Sequence, residues 1–317
     1  REVGKLISSR LGRPLQPFDI WYDGFKARSG LDQAKLDKQT KSKYPDVMAF
    51  EKDIPNILTK LGFAPEKAKE IGSHITVDPA RGSGHAWGAA MKGDKSHLRT
   101  RIAKGGMDYK GYNIAMHELG HNVEQTISMY MVDDFMMAGV PNTAFTEAYA
   151  FAFQKHDLEV LGIKNNDPDK EAMNALDNFW ASYEIMGVSL VDMKVWKWLY
   201  ANPGADKKQL KEQVIASAIE VWNKYYADIF GVKDSPVLAI YSHMIDNPLY
   251  LSNYPVGHLI EFQLDQFFKG KNFAEESIRI YSAGKLIPQL WMKNAVGSEI
   301  SIQPLINSTR EALKVIK

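Results

Sequence analysis

The chain has 317 residues, 45% of them hydrophobic, enough for one large core or two modest ones. Its 39 basic and 38 acidic residues leave a formal net charge of +1, so no basic surplus points to nucleic acid and no like-charge block to a tail. With no cysteine, disulfides and thiolate zinc sites are excluded, and no apolar run is long enough to cross a bilayer.

The chain opens on Arg1 in "REVGKLISSRLG", already in amphipathic helical rhythm and with no signal-peptide pattern. That is expected of a mature or cut form from which a signal has been removed, and it slightly favours a periplasmic or secreted location over a cytoplasmic one. "KLDKQTKSK" (Lys35 to Lys43) reads as a solvated helix end. "EKDIPNILTKLGF" and "PEKAKEIGSHI" are helix-like, each closed or interrupted by Gly or Pro. "SHITVDPARGSGHAWGAAM" (Ser73 to Met91) breaks that pattern with its glycines and a β-type start. "HLRTRIAK" alternates like a short strand, so a small sheet is expected next to the helix that follows.

That helix carries "HELGH". A break at "AGVPNT" (Ala138 to Thr143) leads into "AFTEAYAFAFQKHDLEVLGI", and long helices follow, one of them starting at Asp206. "ESIRIYSAGKLIPQLW" reads as the last large element. No internal repeat is visible, and the Trp and Tyr of the later helices are assigned to core packing. The expected fold class is mainly α, a multi-helix body with a small β-sheet beside the HELGH helix.

The motif makes a physical claim. At about 3.6 residues per turn, His117 and His121 lie on one helical face and can aim both imidazoles at one ion. Glu118 is rotated by about 100° from His117, beside the ion, where a carboxylate can take a proton from a zinc-bound water. A catalytic zinc needs a third protein ligand. Glu124 and Ile127 stand where a metzincin extension requires Gly and His, so the ligand must come from another segment. Glu147 lies 26 residues after His121, past the Pro141 break, in an otherwise apolar stretch where an unpaired carboxylate is costly. It is the preferred third ligand, with Asp133, Asp134 and Glu124 as the other candidates.

The order "GHAWGAAMKGDKSHLRTRIAKGGMDYKGYNIAMHELGH", "PNTAFTEAYAFAF", "SLVDMKVWKWLY" and "YSHMIDNPLYLSNYPVGHLIEFQLDQFF" resembles the peptidyl-dipeptidases of the angiotensin-converting-enzyme type. The thimet-oligopeptidase and oligoendopeptidase families share the core pattern. The resemblance runs from about His85 to about Trp291. It implies a zincin-type, two-lobed helical peptidase body with a deep groove. His117, His121 and Glu147 would bind Zn2+, with Glu118 as general base. His85 and Ala86 would lie on an edge strand that holds the substrate backbone, and His243 and Tyr254 would stabilise the oxyanion, with His258 as a rival to His243.

There are departures. The chain matches only the C-terminal half of such enzymes, so residues 1–317 are expected to be a single helical catalytic region of a larger two-lobed peptidase. Where the family has a carboxylate that orients a zinc-ligating histidine, this chain has Phe151, and Tyr241 falls near the family's C-terminus-gripping lysine. The expected function is zinc-dependent hydrolysis of short peptides. The alternatives are a carboxypeptidase on the same scaffold and a non-catalytic remnant that serves as a binding domain.

Overall fold

The computed structural model describes residues 1–82, 84–164 and 166–317. The protein is mainly helical with one three-stranded sheet, as the sequence predicts. Helices α1 (Glu2–Leu11), α2 (Gln33–Lys43), α3 (Val47–Lys60) and α4 (Pro65–Ser73) precede strands β1 (Ile75–Ala80), β2 (His85–Trp87) and β3 (Ser96–Arg101). There follow α5 (Tyr109–Met131), α6 (Thr143–Gln154), α7 (Asp157–Val160) and α8 (Lys170–Ala201). The remaining helices are α9 (Lys207–Tyr225), α10 (Ala227–Phe230), α11 (His243–Asp246), α12 (Asn253–Phe268), α13 (Phe273–Tyr281), α14 (Pro288–Val296) and α15 (Gln303–Val315).

The chain groups into two compact units. The first comprises Arg1–Ser29, Asn166–Leu259 and Ile302–Lys317, and the second Gly30–Asn165 and Ile260–Ser301. In the first unit α8 packs against α9 and α15. Its aromatic residues are structural: Trp222 is fully buried, stacks on Tyr226 at 5.4 Å and donates its indole N–H to the Val232 carbonyl at 2.8 Å. Asp206 caps α9 by accepting from the Lys208 and Gln209 amides, while Gln209 reaches back to the Asp206 amide.

The second unit is built around α5. Tyr112, Ala115, Met116, Leu119, Val123 and Ile127 recur every three or four residues and are fully buried, so one continuous stripe faces the core. Each large apolar side chain removed from water there contributes about 1.5–3 kcal/mol. Asp108 starts the helix by accepting the Gly111 amide at 2.8 Å, a cap of the kind that contributes about 1 kcal/mol. Asn142 likewise starts α6, accepting the Ala144 amide at 3.0 Å directly after Pro141. The sheet has the order β1-β3-β2. β1 runs parallel to β3, and β2 pairs antiparallel with β3, placing His85 opposite Arg99, Ala86 opposite Leu98 and Trp87 opposite His97. β3 and β2 both pack on α5.

One expectation fails. "ESIRIYSAGKLIPQLW" is two helices: α13 ends at Tyr281, the chain turns through Gly284 at φ 79°, and Pro288 opens α14. Nor is it the last large element, since α15 follows.

Candidate active site

α5 and α6 pack side by side, and their closest approach sets the site. A Cβ at Gly120, inside HELGH, would stand 2.7 Å from the Ala150 Cα and 3.0 Å from the Phe153 Cβ on α6. Only a residue without a side chain lets the two backbones come this near. One turn before Ala150, α6 presents Glu147 to the two histidines.

His117 Nε2 lies 3.4 Å and His121 Nε2 3.6 Å from Glu147 Oε2, and the three donor atoms are all within 4.8 Å of one another. Zinc bonds of about 2.0–2.2 Å arranged tetrahedrally set ligand atoms about 3.3–3.6 Å apart. The two separations from Glu147 match that edge, and two imidazole nitrogens with one carboxylate oxygen are a donor set suited to zinc. The residues therefore fit the ion the motif implies. Among the described residues this is the one cluster of three or more His, Cys, Asp or Glu side chains able to hold a metal. Asp133 and Asp134 lie outside it. So does Glu124, whose buried carboxylate accepts from Ser128 Oγ at 2.6 Å and from the Thr146 hydroxyl.

Electrostatics divide the roles. Burial lowers His121 to about 4, Glu147 opposing and His117 adding to the shift, so this imidazole is neutral, as a ligand must be. Burial also pushes His117 down, but the hydrogen bond and charge of Glu147, with Glu118 and Gln154, outweigh it and the net shift is upward. Glu118, 7% exposed, is raised to about 7 by burial, with His117 pulling it down and Glu147 pushing it up. A carboxylate tuned near neutrality is suited to accept and return a proton at physiological pH.

Phe151, one turn after Glu147, lays its ring 5.1 Å from that of His117. The Gln154 side chain is the least of the contributions that raise the His117 pKa. Gln154 Nε2 donates to Asn113 Oδ1 at 2.8 Å, Asn113 Nδ2 donates to Asp157 Oδ2 at 2.6 Å, and the Tyr109 hydroxyl donates to the same oxygen at 2.5 Å. With its amide nitrogen turned to Asn113, Gln154 has its carbonyl oxygen for the imidazole N–H.

β2 ends the sheet, so its outer edge has no partner strand among the described residues. Its start is held against Glu118: a Cβ at Gly84 would stand 2.9 Å from Glu118 Oε1. Ala86 is paired with the fully buried Leu98, while His85 is exposed. His85 and Ala86 thus occupy an edge strand, as the resemblance implies.

His243 and Tyr254 belong to the first unit. The His243 ring meets Tyr250 at 5.8 Å and Tyr250 meets Tyr254 edge-on at 5.5 Å, so Tyr250 joins the two. His243 Nδ1 lies 3.0 Å from Asp246 Oδ1. His258 sits on α12, half-buried. In the same unit the Tyr241 hydroxyl donates to Glu184 Oε1 at 2.7 Å and is committed to a carboxylate of the protein itself. The other histidines have structural settings: His97 Nδ1 is 2.7 Å from Asp78, His156 Nδ1 is 2.7 Å from Glu159, and His74 stacks on Tyr130.

Sequence reading missed Gly120, Gly84, Gln154 and Tyr250. The signal for Gly120 was available, since a glycine inside a helix, costing about 1 kcal/mol relative to alanine, asks for a packing reason.

No family model and no curated protein matches the chain. Solved structures do. PZ peptidase A, with inhibitor 2, aligns with a TM-score of 0.60 at 12% identity, over 99% of this chain and 56% of its own. The "putative peptidase" of Chlamydophila abortus aligns with a TM-score of 0.59 at 14% identity, over 99% of this chain and 52% of its own. The "putative oligoendopeptidase F" of Bacillus anthracis str. Ames gives 0.55 at 13% identity, over 100% and 56%. The chain therefore shares its fold with structures described as peptidases, and it spans about half their length.

Proposed function

We propose that the protein is a zinc metallopeptidase that hydrolyses peptide bonds in short peptides. The observation that carries this reading is the set of three donors, His117, His121 and Glu147, at zinc-ligand separations, with Glu118 beside them facing an edge strand. The shared fold with peptidase structures supports it.

A zinc ion held by the three residues supplies Lewis acidity, making water a nucleophile near neutral pH and polarising a carbonyl. Glu118 takes the proton of the attacking water and returns it to the leaving amine. His85 and Ala86 hold the substrate backbone as an added strand. The resemblance adds Tyr254 and His243 as donors to the oxyanion. Tyr241 donates to Glu184, so it is no substitute for a lysine that grips a free C-terminus, and cleavage depends only mildly on a free substrate carboxylate.

Metal content and a quenched-peptide digest test the reading together. The purified protein should carry about one zinc per chain. Glu118→Gln should keep the metal and lose hydrolysis, whereas His121→Ala and Glu147→Ala should lose the metal. Loss of zinc in Glu118→Gln with retention in Glu147→Ala would reverse the assignment. Matched peptides with free and amidated C-termini, read by mass spectrometry, settle the end dependence.

A further inference from the structure

The second unit holds a cavity of about 570 Å³ that the proposed chemistry does not use. Its walls are the C-terminal half of α5, the connection from α5 to α6, and the chain that leaves β2. That volume lies within the range of pockets that take small ligands, about 300–1,000 Å³.

Its lining is mainly apolar, with Lys92, Asp133 and Lys285 as charged groups among the wall residues. Met129, Val132, Phe135, Val140 and Pro141 line it. Of the two acids in its wall, Asp133 and Glu124, the latter accepts from Ser128 and Thr146, and burial raises its pKa. At the mouth, Phe135 is 84% and Met91 63% exposed. Two large apolar side chains left in water beside an apolar hollow mark a surface suited to an apolar partner.

Its position ties it to the zinc residues. Gln125 stands one turn beyond His121 on α5, and Met129 two turns beyond, both in the wall. At about 1.5 Å per residue these are about 6 and 12 Å along the helix. On the other side, the wall begins at Gly88, the residue after β2 ends. An extended peptide rises about 3.3 Å per residue, so one laid along β2 reaches the cavity about two to four residues from the bond at the metal.

We propose that this cavity is a specificity subsite for a bulky apolar side chain of the peptide, Phe, Trp or Leu, two to four residues from the cleaved bond. The proposal rests on the peptidase reading above. A small apolar molecule unrelated to the substrate would fit the hollow too, but the continuity of its wall with β2 favours the peptide.

The test is a set of quenched peptides with one fixed cleavable bond, carrying Phe or Gln at the second, third or fourth residue on either side. At one of these positions Phe should lower KM relative to Gln by at least about tenfold, as burial of an apolar group in a pocket does, with kcat little changed. Met129→Trp, which fills the cavity, should shrink that Phe-to-Gln ratio. The wild-type series decides the matter even if this variant fails to fold. Binding of the same peptides to the zinc-loaded Glu118→Gln protein, followed by fluorescence anisotropy, separates the two readings. Absence of cleavage with a retained Phe preference in binding counts against the hydrolytic mechanism alone. Equal binding and equal KM for Phe and Gln at every position overturns the subsite.

Discussion

Gly120 of α5 and Ala150 of α6 lie so close that a methyl group on the first would stand 2.7 Å from the Cα of the second. Ordinary helix propensity favours Ala over Gly by about 1 kcal/mol. Overpacking against an atom that cannot turn away costs about 1–3 kcal/mol. Because the clash is with backbone, the second effect wins. Gly120→Ala should therefore spread the two helices, move Glu147 from the histidines and weaken zinc binding about tenfold or more. Competition with a chelator measures it, and unchanged affinity would refute the packing argument.

Gln154 should matter to the metal although it is no ligand. Its side chain pulls the His117 pKa upward, as an acceptor turned towards the ring does, and partners of a ligating ring affect metal affinity by about 10–100-fold. Gln154→Leu is expected to lose zinc in that range, while Gln154→Glu, which keeps an acceptor for the ring, should retain most of the affinity. Equal affinities for the Leu and Glu variants would show that Phe151 packing alone holds the ring.

The α5–α6 pair also carries a pH signature away from the metal. Glu124 is 2% exposed, and burial holds its pKa above the ordinary value, against the hydrogen bonds from Ser128 and Thr146. A carboxyl whose folded pKa is raised contributes stability that is fully present below its unfolded pKa. That contribution is lost as pH rises through the folded value. Glu124→Gln removes the titration, so its Tm should fall less than that of the wild type between pH 5 and pH 8. Parallel melting curves at the two pH values check it, and an identical fall in both proteins would contradict the assignment.

Tyr254→Phe tests the oxyanion part of the proposal. Loss of one donor that acts mainly in the transition state lowers kcat by roughly 10²–10³ with KM nearly unchanged. A rise in KM alone would make Tyr254 a binding residue instead.

The grouping of His117, His121 and Glu147 was legible because helix geometry is strict: a four-residue spacing puts two histidines on one face wherever α5 forms, and the apolar run around Glu147 flagged a carboxylate in need of a partner. The sheet showed through the alternation of "HLRTRIAK" and the break before it. Gln154 was not legible, since its role depends on the register of α6 against α5 and on which end of its amide Asn113 takes. Nor was the commitment of Tyr241, whose partner Glu184 lies 57 positions away on α8. The division into two units was hidden because each is assembled from segments far apart in the chain.

β1 and β3 pair in parallel over six positions, and β2 is formed from the connection between them. That pairing does not involve β2, so the outer strand can peel away while the inner pair stays closed. Amide hydrogens of residues 85–87 should therefore exchange with solvent through local opening, well before those of 96–101, whose release requires disruption of the β1–β3 pair, in which β1 packs on α3 and β3 on α5. The same layout makes the outer strand the replaceable part of the sheet. Substitutions and length changes between residues 88 and 95 can reshape what lies along it without unpairing the strands that hold α5 in place.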